Sequence, residues 1–179
     1  MRHLVLSQLE SSEAHGTELS AALDRLKQEH GELMQDLLEL ENEAKQAGQE
    51  SDFDPAIRLL THLRFRTQAF MNEMEQHSRW EEQELFPFLN GYFHQQTAPS
   101  IAASFWRLEK EHELAGEYLQ SFLKETDGLR RDSKLEQLHH AAAYLIHACR
   151  ILKEHLEKEE QLVFPMTEEV LTDLDYLFS

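Results

Sequence analysis

Apolar residues recur every three or four positions through most of this chain, and this period limits the possible folds more than any other feature. It is the period of a helix that buries one face. The segments run from about 17 to 46, 55 to 86, 100 to 127 and 133 to 164. Asp54-Pro55 is a typical start for the second helix, and Gly128 a typical stop for the third. The pattern predicts an all-α fold, an antiparallel up-down four-helix bundle with short terminal extensions.

The second and fourth segments each close with the dipeptide Phe-Pro, at 86–87 and 164–165. Proline removes a backbone donor and disfavours helix in the residue before it, so the dipeptide predicts that both helices end there. Residues 90–100 then form a connection, and a short separate helix follows Pro165.

These two helix endings belong to a longer repeat. "HSRWEEQELFP" covers 77–87 and "HLEKEEQLVFP" covers 155–165. Each stretch begins with His and has Glu four residues later, one helical turn away on the same face. A helix-ending signal explains the Phe-Pro, but it does not explain the His and the Glu.

Each of the four apolar stripes contains one histidine. In the first and third helices it lies 13 and 12 residues after the predicted start, and in the second and fourth it lies nine residues before Phe86 and Phe164. At about 1.5 Å per residue, an up-down bundle brings all four to one level, about 15–20 Å from a common end. The inward-facing polar residues at that level are His30, His77, Glu81, His112, His155 and Glu159.

Metal binding explains why these residue types lie in an apolar core. An ionised Glu is costly there unless it is paired or bound to a metal. Two carboxylates can bridge two metal ions while four neutral imidazoles fill terminal positions. Nitrogen and oxygen donors without thiolate suit iron, with manganese or zinc as other occupants. Six protein ligands leave coordination positions open for water, oxide or a small diatomic molecule.

Two other interpretations compete with a metal site built from these six residues. A single inward histidine is more often a hydrogen-bonded core residue than a ligand, but four at one depth strain that explanation. A ferritin-like site needs Glu-x-x-His motifs, which occur at Glu109–His112 and Glu136–His139. His139 lies 16 residues before His155, about 24 Å along the helix, so the depths do not match. The other histidines are not expected in this set: His3 and His15 precede the first core helix, His94 lies in a connection, and His139 turns to the far side of its helix. Capping or surface roles are expected for His62 and His140, with a second metal site as the alternative, and His147 has no assigned role.

The charge balance restricts the partners. With 34 acidic and 17 basic residues the formal net charge is −17, which disfavours nucleic acid and anionic membrane surfaces. The single cysteine, Cys149, excludes an intramolecular disulfide and suits a reducing cytosol. No signal peptide or membrane span is expected, so the predicted location is cytoplasmic.

The order of ligands resembles that of hemerythrin-like proteins, also called the HHE cation-binding domain. It reads His30, His77-x-x-x-Glu81, His112 and His155-x-x-x-Glu159, with "KQEHGEL" and "EKEHELA" as matching starts. The resemblance implies a single domain over 1–179, with a core of about 17–165 built from two helical hairpins. It also implies two iron ions in an oxo- or hydroxo-bridged centre.

Within that family, the oxygen-carrying hemerythrins have a fifth His four residues after the third-helix His, where this chain has Gly116. Four His and two Glu are more similar to the Repair of Iron Centres group, although the sequence carries no cysteine-bearing segment ahead of the bundle. That resemblance implies stress chemistry on O2, NO or peroxide with a separate electron donor, or iron handling. The alternatives are a non-catalytic oxygen or iron carrier or sensor, and an interaction module without metal.

Overall fold

The structure is a computed structural model that describes residues 2–94 and 101–178, and this part of the chain is helical apart from short connections. The helices are α1 (Arg2–Gln49), α2 (Phe53–Trp80), a π-helical segment (Glu81–Leu85), α3 (Phe86–His94), α4 (Ile101–Asp127) and α5 (Leu135–Phe178). Because α2, the π segment and α3 follow without a break, they form one rod. The structure confirms the predicted all-α four-helix bundle.

Helix α1 packs against α2 and α5, and α5 packs against α4, whereas α2 makes few contacts with α4. Side-chain contacts show that α1 and α5 are antiparallel. Lys27 of α1 reaches Glu168 at 3.0 Å, and near the other end of α1 the Glu41 carboxylate meets Lys153. The sparse packing of α2 on α4 leaves a groove along that side of the bundle.

The predicted helix ends are partly confirmed. Helix α4 ends at Asp127, and the N–H of Gly128 donates to the carbonyls of Lys124 and Glu125 at 3.3 and 3.2 Å, as expected for a stop at this glycine. Helix α2 begins at Phe53 with Asp52 as its N-cap, two residues earlier than the expected start.

The prediction that the Phe-Pro dipeptides end the helices is wrong. Pro87 lies within α3, and Pro165 lies inside α5, which continues to Phe178. A proline inside a helix costs roughly 3 kcal/mol. Beyond Pro165 the apolar face continues through Met166 and Val170, both buried, and each such side chain contributes about 1.5–3 kcal/mol. Burial of this face therefore outweighs the proline.

Helix also extends further than expected elsewhere. Residues 90–94 of the predicted connection are helical, and residues 95–100 lie outside the described part of the chain. The first helix runs to Gln49. The segment after Pro165 is therefore the last part of α5, and the expected separate helix does not form.

The π segment follows from the spacing of buried residues. From His77 the inward positions advance in steps of four through Glu81, Leu85, Leu89 and Phe93, and all five side chains are buried. An α-helix needs 3.6 residues per turn, so repeated steps of four would rotate these side chains off the core face. The wider turn, in which the Phe86 N–H donates to the Glu81 carbonyl, keeps them aligned.

The buried apolar residues form two separate clusters along the bundle. One cluster includes Phe70, Phe122 and Leu145, and the other includes Leu26, Leu89 and Val163. The inward histidines and glutamates lie at the level between the two clusters. A polar layer therefore divides the core.

Among the side chains that the structure describes, a few large apolar ones are exposed, such as Phe65 and Trp106. Among the described helices, none has the length and apolar character needed to cross a bilayer.

Among the ionic contacts of the described structure, those of the Glu41 carboxylate are the ones whose loss should lower stability most. Glu41 is buried at the α1–α5 interface, where it accepts from Arg150 at 3.3 Å and from Lys153 and lies 2.8 Å from Lys45. Burial opposes ionisation, but these three cations outweigh it and lower the pKa of Glu41 to about 2. Glu41→Gln is expected to lower the free energy of unfolding by about 1–3 kcal/mol at pH 7.

The pH dependence of that loss is also predicted. The pKa of Glu41 is lower in the folded than in the unfolded chain, so its stabilisation is complete above about pH 4.5 and is lost as pH falls toward 2. Urea unfolding at pH 7, 5 and 3.5 measures this. Glu154→Gln, at an exposed position of α5 beside Lys153, is the control and should have little effect. A loss that is the same at pH 7 and pH 3.5 would contradict the assignment to the Glu41 carboxylate.

Candidate metal centre

Four of the six predicted ligands meet in the polar layer. His30 of α1, His77 of α2, Glu81 at the start of the π segment and Glu159 of α5 are buried, and one ligand atom from each lies within 4.8 Å of the others. Two imidazole nitrogens and two carboxylate oxygens are a donor set that can hold iron, manganese or zinc.

The carboxylates lie between the histidines. The Oε1 atom of Glu81 lies 2.9 Å from His77 Nε2 and 3.5 Å from His30 Nε2. The Oε2 atom of Glu159 lies 3.8 Å from His30 Nε2 and 3.3 Å from the Nε2 atom of His155, the fifth predicted ligand. All three histidines therefore turn Nε2 toward the carboxylate pair.

Several buried polar atoms of this layer have no hydrogen-bond partner. They are both ring nitrogens of His30, Nε2 of His77, Nδ1 of His155, Oε1 of Glu81 and both carboxylate oxygens of Glu159. Leaving a buried donor or acceptor unpaired costs about 1–3 kcal/mol. Cations at the centre of the layer would satisfy most of these atoms at once, so the residues present fit a metal site.

The two carboxylates differ in protonation without a cation. Burial and the charge of Glu159 raise the pKa of Glu81 well above its usual range. Burial acts in the same direction on Glu159, but the neighbouring His155, Glu81 and His30 outweigh it and lower its pKa. Two carboxyl groups this close do not both ionise, so the pair retains one proton.

Two of the histidines, His30 and His112, have lowered pKa values. Burial lowers the pKa of His30 to about 4, although the charge of Glu159 opposes the shift. Burial and the neighbouring His155 lower the pKa of His112 to about 4 as well. Neutral imidazoles are the form that binds metals, so these side chains need not lose a proton near pH 7 before they act as ligands.

Carboxylates outside the layer face the Nδ1 atoms of two histidines, His77 and His30. The Nδ1 atom of His77 lies 2.8 Å from the carboxylate of Glu29, which precedes His30 in the chain. The Nδ1 atom of His30 lies 3.4 Å from Glu160, which follows Glu159. At His77 the hydrogen bond from Nδ1 to the Glu29 carboxylate fixes the tautomer and leaves Nε2 free as a ligand.

The sixth predicted ligand, His112 of α4, is placed differently. It is only partly buried, and its ring stacks on that of His155 with centroids 4.7 Å apart. Its Nε2 atom lies 3.1 Å from the hydroxyl of Ser78. The structure therefore brings His112 to the polar layer, but its Nε2 hydrogen-bonds outside the carboxylate pair.

Two adjoining cavities between α2 and α4 open the layer to solvent. The smaller, of about 350 Å³, is lined by Glu81, His112 and His155 and by the stacked rings of Phe86 and Phe105. The larger, of about 670 Å³, continues along the groove past His112. Gly116 lines it, and a Cβ added there would meet no atom within 4 Å. The position at which oxygen-carrying hemerythrins place a fifth histidine is therefore open space.

The other histidines lie away from the layer. His139 donates from Nε2 to the carbonyl of Glu50 at 2.9 Å, near the opposite end of the bundle, so the ferritin-like arrangement is not formed. His62, His140 and His147 are exposed. The side chains of His3, His15 and His94 lie outside the described part of the structure.

Sequence reasoning missed Ser78, Glu29 and Glu160, although the repeat contains a signal for the two acids. Both hairpins read Glu-His in their first helix, at 29–30 and 111–112, and Glu-Glu in their second, at 81–82 and 159–160. The repeat thus includes the outer carboxylates together with the ligands. No repeat marks Ser78, because the corresponding residue of the second hairpin is Leu156.

Comparison with known proteins agrees with this geometry. The family model of the hemerythrin HHE cation binding domain matches residues 21–167, which include all six predicted ligands. Searches against curated proteins and against solved structures gave no significant match. The match covers most of the chain, and the chain belongs to the hemerythrin HHE cation-binding family.

Proposed function

We propose that this protein is a non-haem di-iron protein in which Glu81 and Glu159 bridge two metal ions. Its terminal ligands would be His30, His77, His112 and His155. The proposal extends to one domain over 1–179 and to a cytoplasmic location, which the single buried thiol of Cys149 favours. Manganese or zinc remains compatible with the donor set.

The observation that carries the proposal is the group of buried polar atoms without hydrogen bonds. A core residue that served only packing or a hydrogen-bond network would have its partners in place. Here both oxygens of Glu159 and both nitrogens of His30 lack them, although each residue is fully buried.

The reaction class we propose is chemistry on O2, NO or peroxide, with electrons from a separate donor, or iron handling linked to such stress. Two iron ions at this site would supply redox equivalents to a small oxidant. The chain contributes the rest. Glu29 orients His77, Phe86 and Phe105 form an apolar wall beside the ligands, and the groove gives a small molecule a path to them.

Open space at Gly116 favours a reactive site over a simple carrier. A fifth imidazole there would fill part of the groove and shield the ligands from solvent. A glycine leaves that side accessible. The second candidate, a non-catalytic carrier or sensor of oxygen or iron, uses the same ligands and differs only in whether a reaction occurs after binding.

The first test is metal content. Purified protein is expected to hold about two iron ions per chain, the number that six ligands with two bridging carboxylates support. Glu81→Ala and His155→Ala should each lose at least one ion, because each removes a donor from the layer. Elemental analysis of the purified variants measures this.

His139→Ala is the matched control for that test. It also replaces a hydrogen-bonded helical histidine, but one at the far end of the bundle, so the metal content should not change. Equal metal content in all variants, or no metal in the wild type after iron supplementation, would contradict the proposed ligand set.

Metal should also stabilise the fold. Because the metal site exists only in the folded bundle, metal binding shifts the unfolding equilibrium by mass action. The shift is about 2.7 kcal/mol for one site at a free metal concentration 100 times the Kd. Chemical unfolding with and without Fe²⁺ under anaerobic conditions measures the shift. An interaction module without metal would keep the same stability in both, and that result would rule out both metal-dependent candidates.

Exposure to gases separates reaction from carriage. The protein is reduced and loaded with iron under anaerobic conditions, and O2 or NO is then added. We expect irreversible oxidation, or turnover of NO to nitrous oxide. Absorption spectra and headspace analysis record the outcome. An adduct that forms and dissociates reversibly, without product, would instead establish the carrier.

A further inference from the structure

We propose that the two metal positions fill in sequence, because a hydrogen bond between Ser78 and His112 lowers the affinity of the second position. This inference rests on the proposed di-iron function. The first position is the preformed group of His30, His77, Glu81 and Glu159. The second adds His112, with its stacked neighbour His155, on the side of the α2–α4 groove.

The Ser78 hydroxyl determines which atom of His112 carries a hydrogen. That hydroxyl donates its single hydrogen to the carbonyl of Met74 at 2.7 Å. A hydroxyl has one hydrogen to donate, so toward His112 it can only accept. The 3.1 Å contact is therefore a hydrogen bond from His112 Nε2–H to Ser78 Oγ. A protonated nitrogen has no lone pair for a metal, so Nε2 is not available in this arrangement.

The other three histidines show what an available Nε2 looks like. Those of His77 and His155 lie 2.9 and 3.3 Å from the nearest oxygen of the carboxylate pair. That of His30 lies 3.5 Å from Glu81. Since His112 alone turns Nε2 toward a hydroxyl, it must rotate or give up the Ser78 contact before Nε2 can join the others.

The outer carboxylates also differ between the two hairpins, and the difference favours the histidine of the first position. His77 Nδ1 lies 2.8 Å from Glu29, but His155 Nδ1 lies 3.9 Å from Glu111, the corresponding acid. Lys158 accounts for the difference, because its ammonium binds Glu111 at 2.8 Å. A carboxylate at Nδ1 makes an imidazole a stronger ligand, so His77 is better prepared than His155.

The internal repeat contains this asymmetry. Ser78 follows the His of the first hairpin, whereas buried Leu156 follows the His of the second and cannot accept a hydrogen bond. His30 therefore has no counterpart of the Ser78 contact. The hydroxyl of Ser78 in the first hairpin therefore binds His112, a proposed ligand of the second hairpin.

The groove gives the second ion its route. Ser78 and His112 line both cavities between α2 and α4, so their contact lies where the groove reaches the polar layer. Glu82 and Glu109 also line both cavities, and Glu113 lines the larger one. An acidic approach attracts cations and repels anions.

A titration with Co²⁺ tests the order of filling. Metal-free full-length protein is titrated against a competing chelator, and the visible spectrum of bound Co²⁺ gives two stepwise dissociation constants. The wild type should show two resolved steps. In Ser78→Ala the second step should tighten about three- to tenfold, because His112 no longer has to give up a neutral hydrogen bond. The first step should stay unchanged.

Ser121→Ala is the matched control. Ser121 lies on α4 and donates to the carbonyl of Glu117 at 2.8 Å, the same backbone contact that Ser78 makes, but no imidazole contacts it in the described structure. Both steps should match the wild type. Tightening of the second step by the same amount in both variants would overturn the proposal.

Nitrogen-15 NMR of the histidine rings gives a readout that does not involve metal. In the metal-free wild type, His112 should carry its hydrogen on Nε2, and in Ser78→Ala this preference should weaken. A hydrogen on Nδ1 of His112 in the wild type would overturn the proposal. Two equal binding steps in the wild type would also overturn it, as would a second step that Ser78→Ala leaves unchanged. In both cases the protein would still bind two ions, and the di-iron function would not be refuted. Absence of any Co²⁺ binding would instead refute the di-iron function itself.

Discussion

Two carboxylates buried side by side in an apolar core are the constraint on which the rest of this structure depends. Burial opposes the ionisation of both, and the charge of Glu159 raises the pKa of Glu81 further. A fold that keeps Glu81 and Glu159 there must offset their cost, and the four inward histidines have that role. The inward imidazoles, the outer acids at Nδ1 and the unpaired atoms of the layer are all consequences of placing this pair at the centre.

Periodicity and depth were enough to predict the bundle and the level of its polar layer. Those properties depend on the helical repeat and rise, which vary little between proteins. The helix ends were less predictable, because they depend on a balance between a local penalty and distant burial. Pro165 illustrates this: the dipeptide is a stop signal locally, but the buried face beyond it, which includes Val170, carries the helix onward.

The orientation of His112 could not be predicted for a different reason. Spacing places a residue on a face, but the atom that it turns toward a neighbour depends on which hydrogen-bond partners are nearby. The partner is Ser78, on another helix, and no periodicity marks it. The π segment, by contrast, had a visible signal in the steps of four from His77 to Phe93, which an α-helix cannot keep on one face.

The division of the core into two apolar clusters has a consequence for how the bundle moves. Clusters that share no buried side chain are natural boundaries between cooperative units, which open with different free energies. Each end of the bundle can then fray without disturbing the packing of the other, and the polar layer is the joint between them. An ion that links side chains of α1, α2 and α5 at that joint would make the two units unfold as one. Occupancy of the centre would then set the cooperativity of the whole fold.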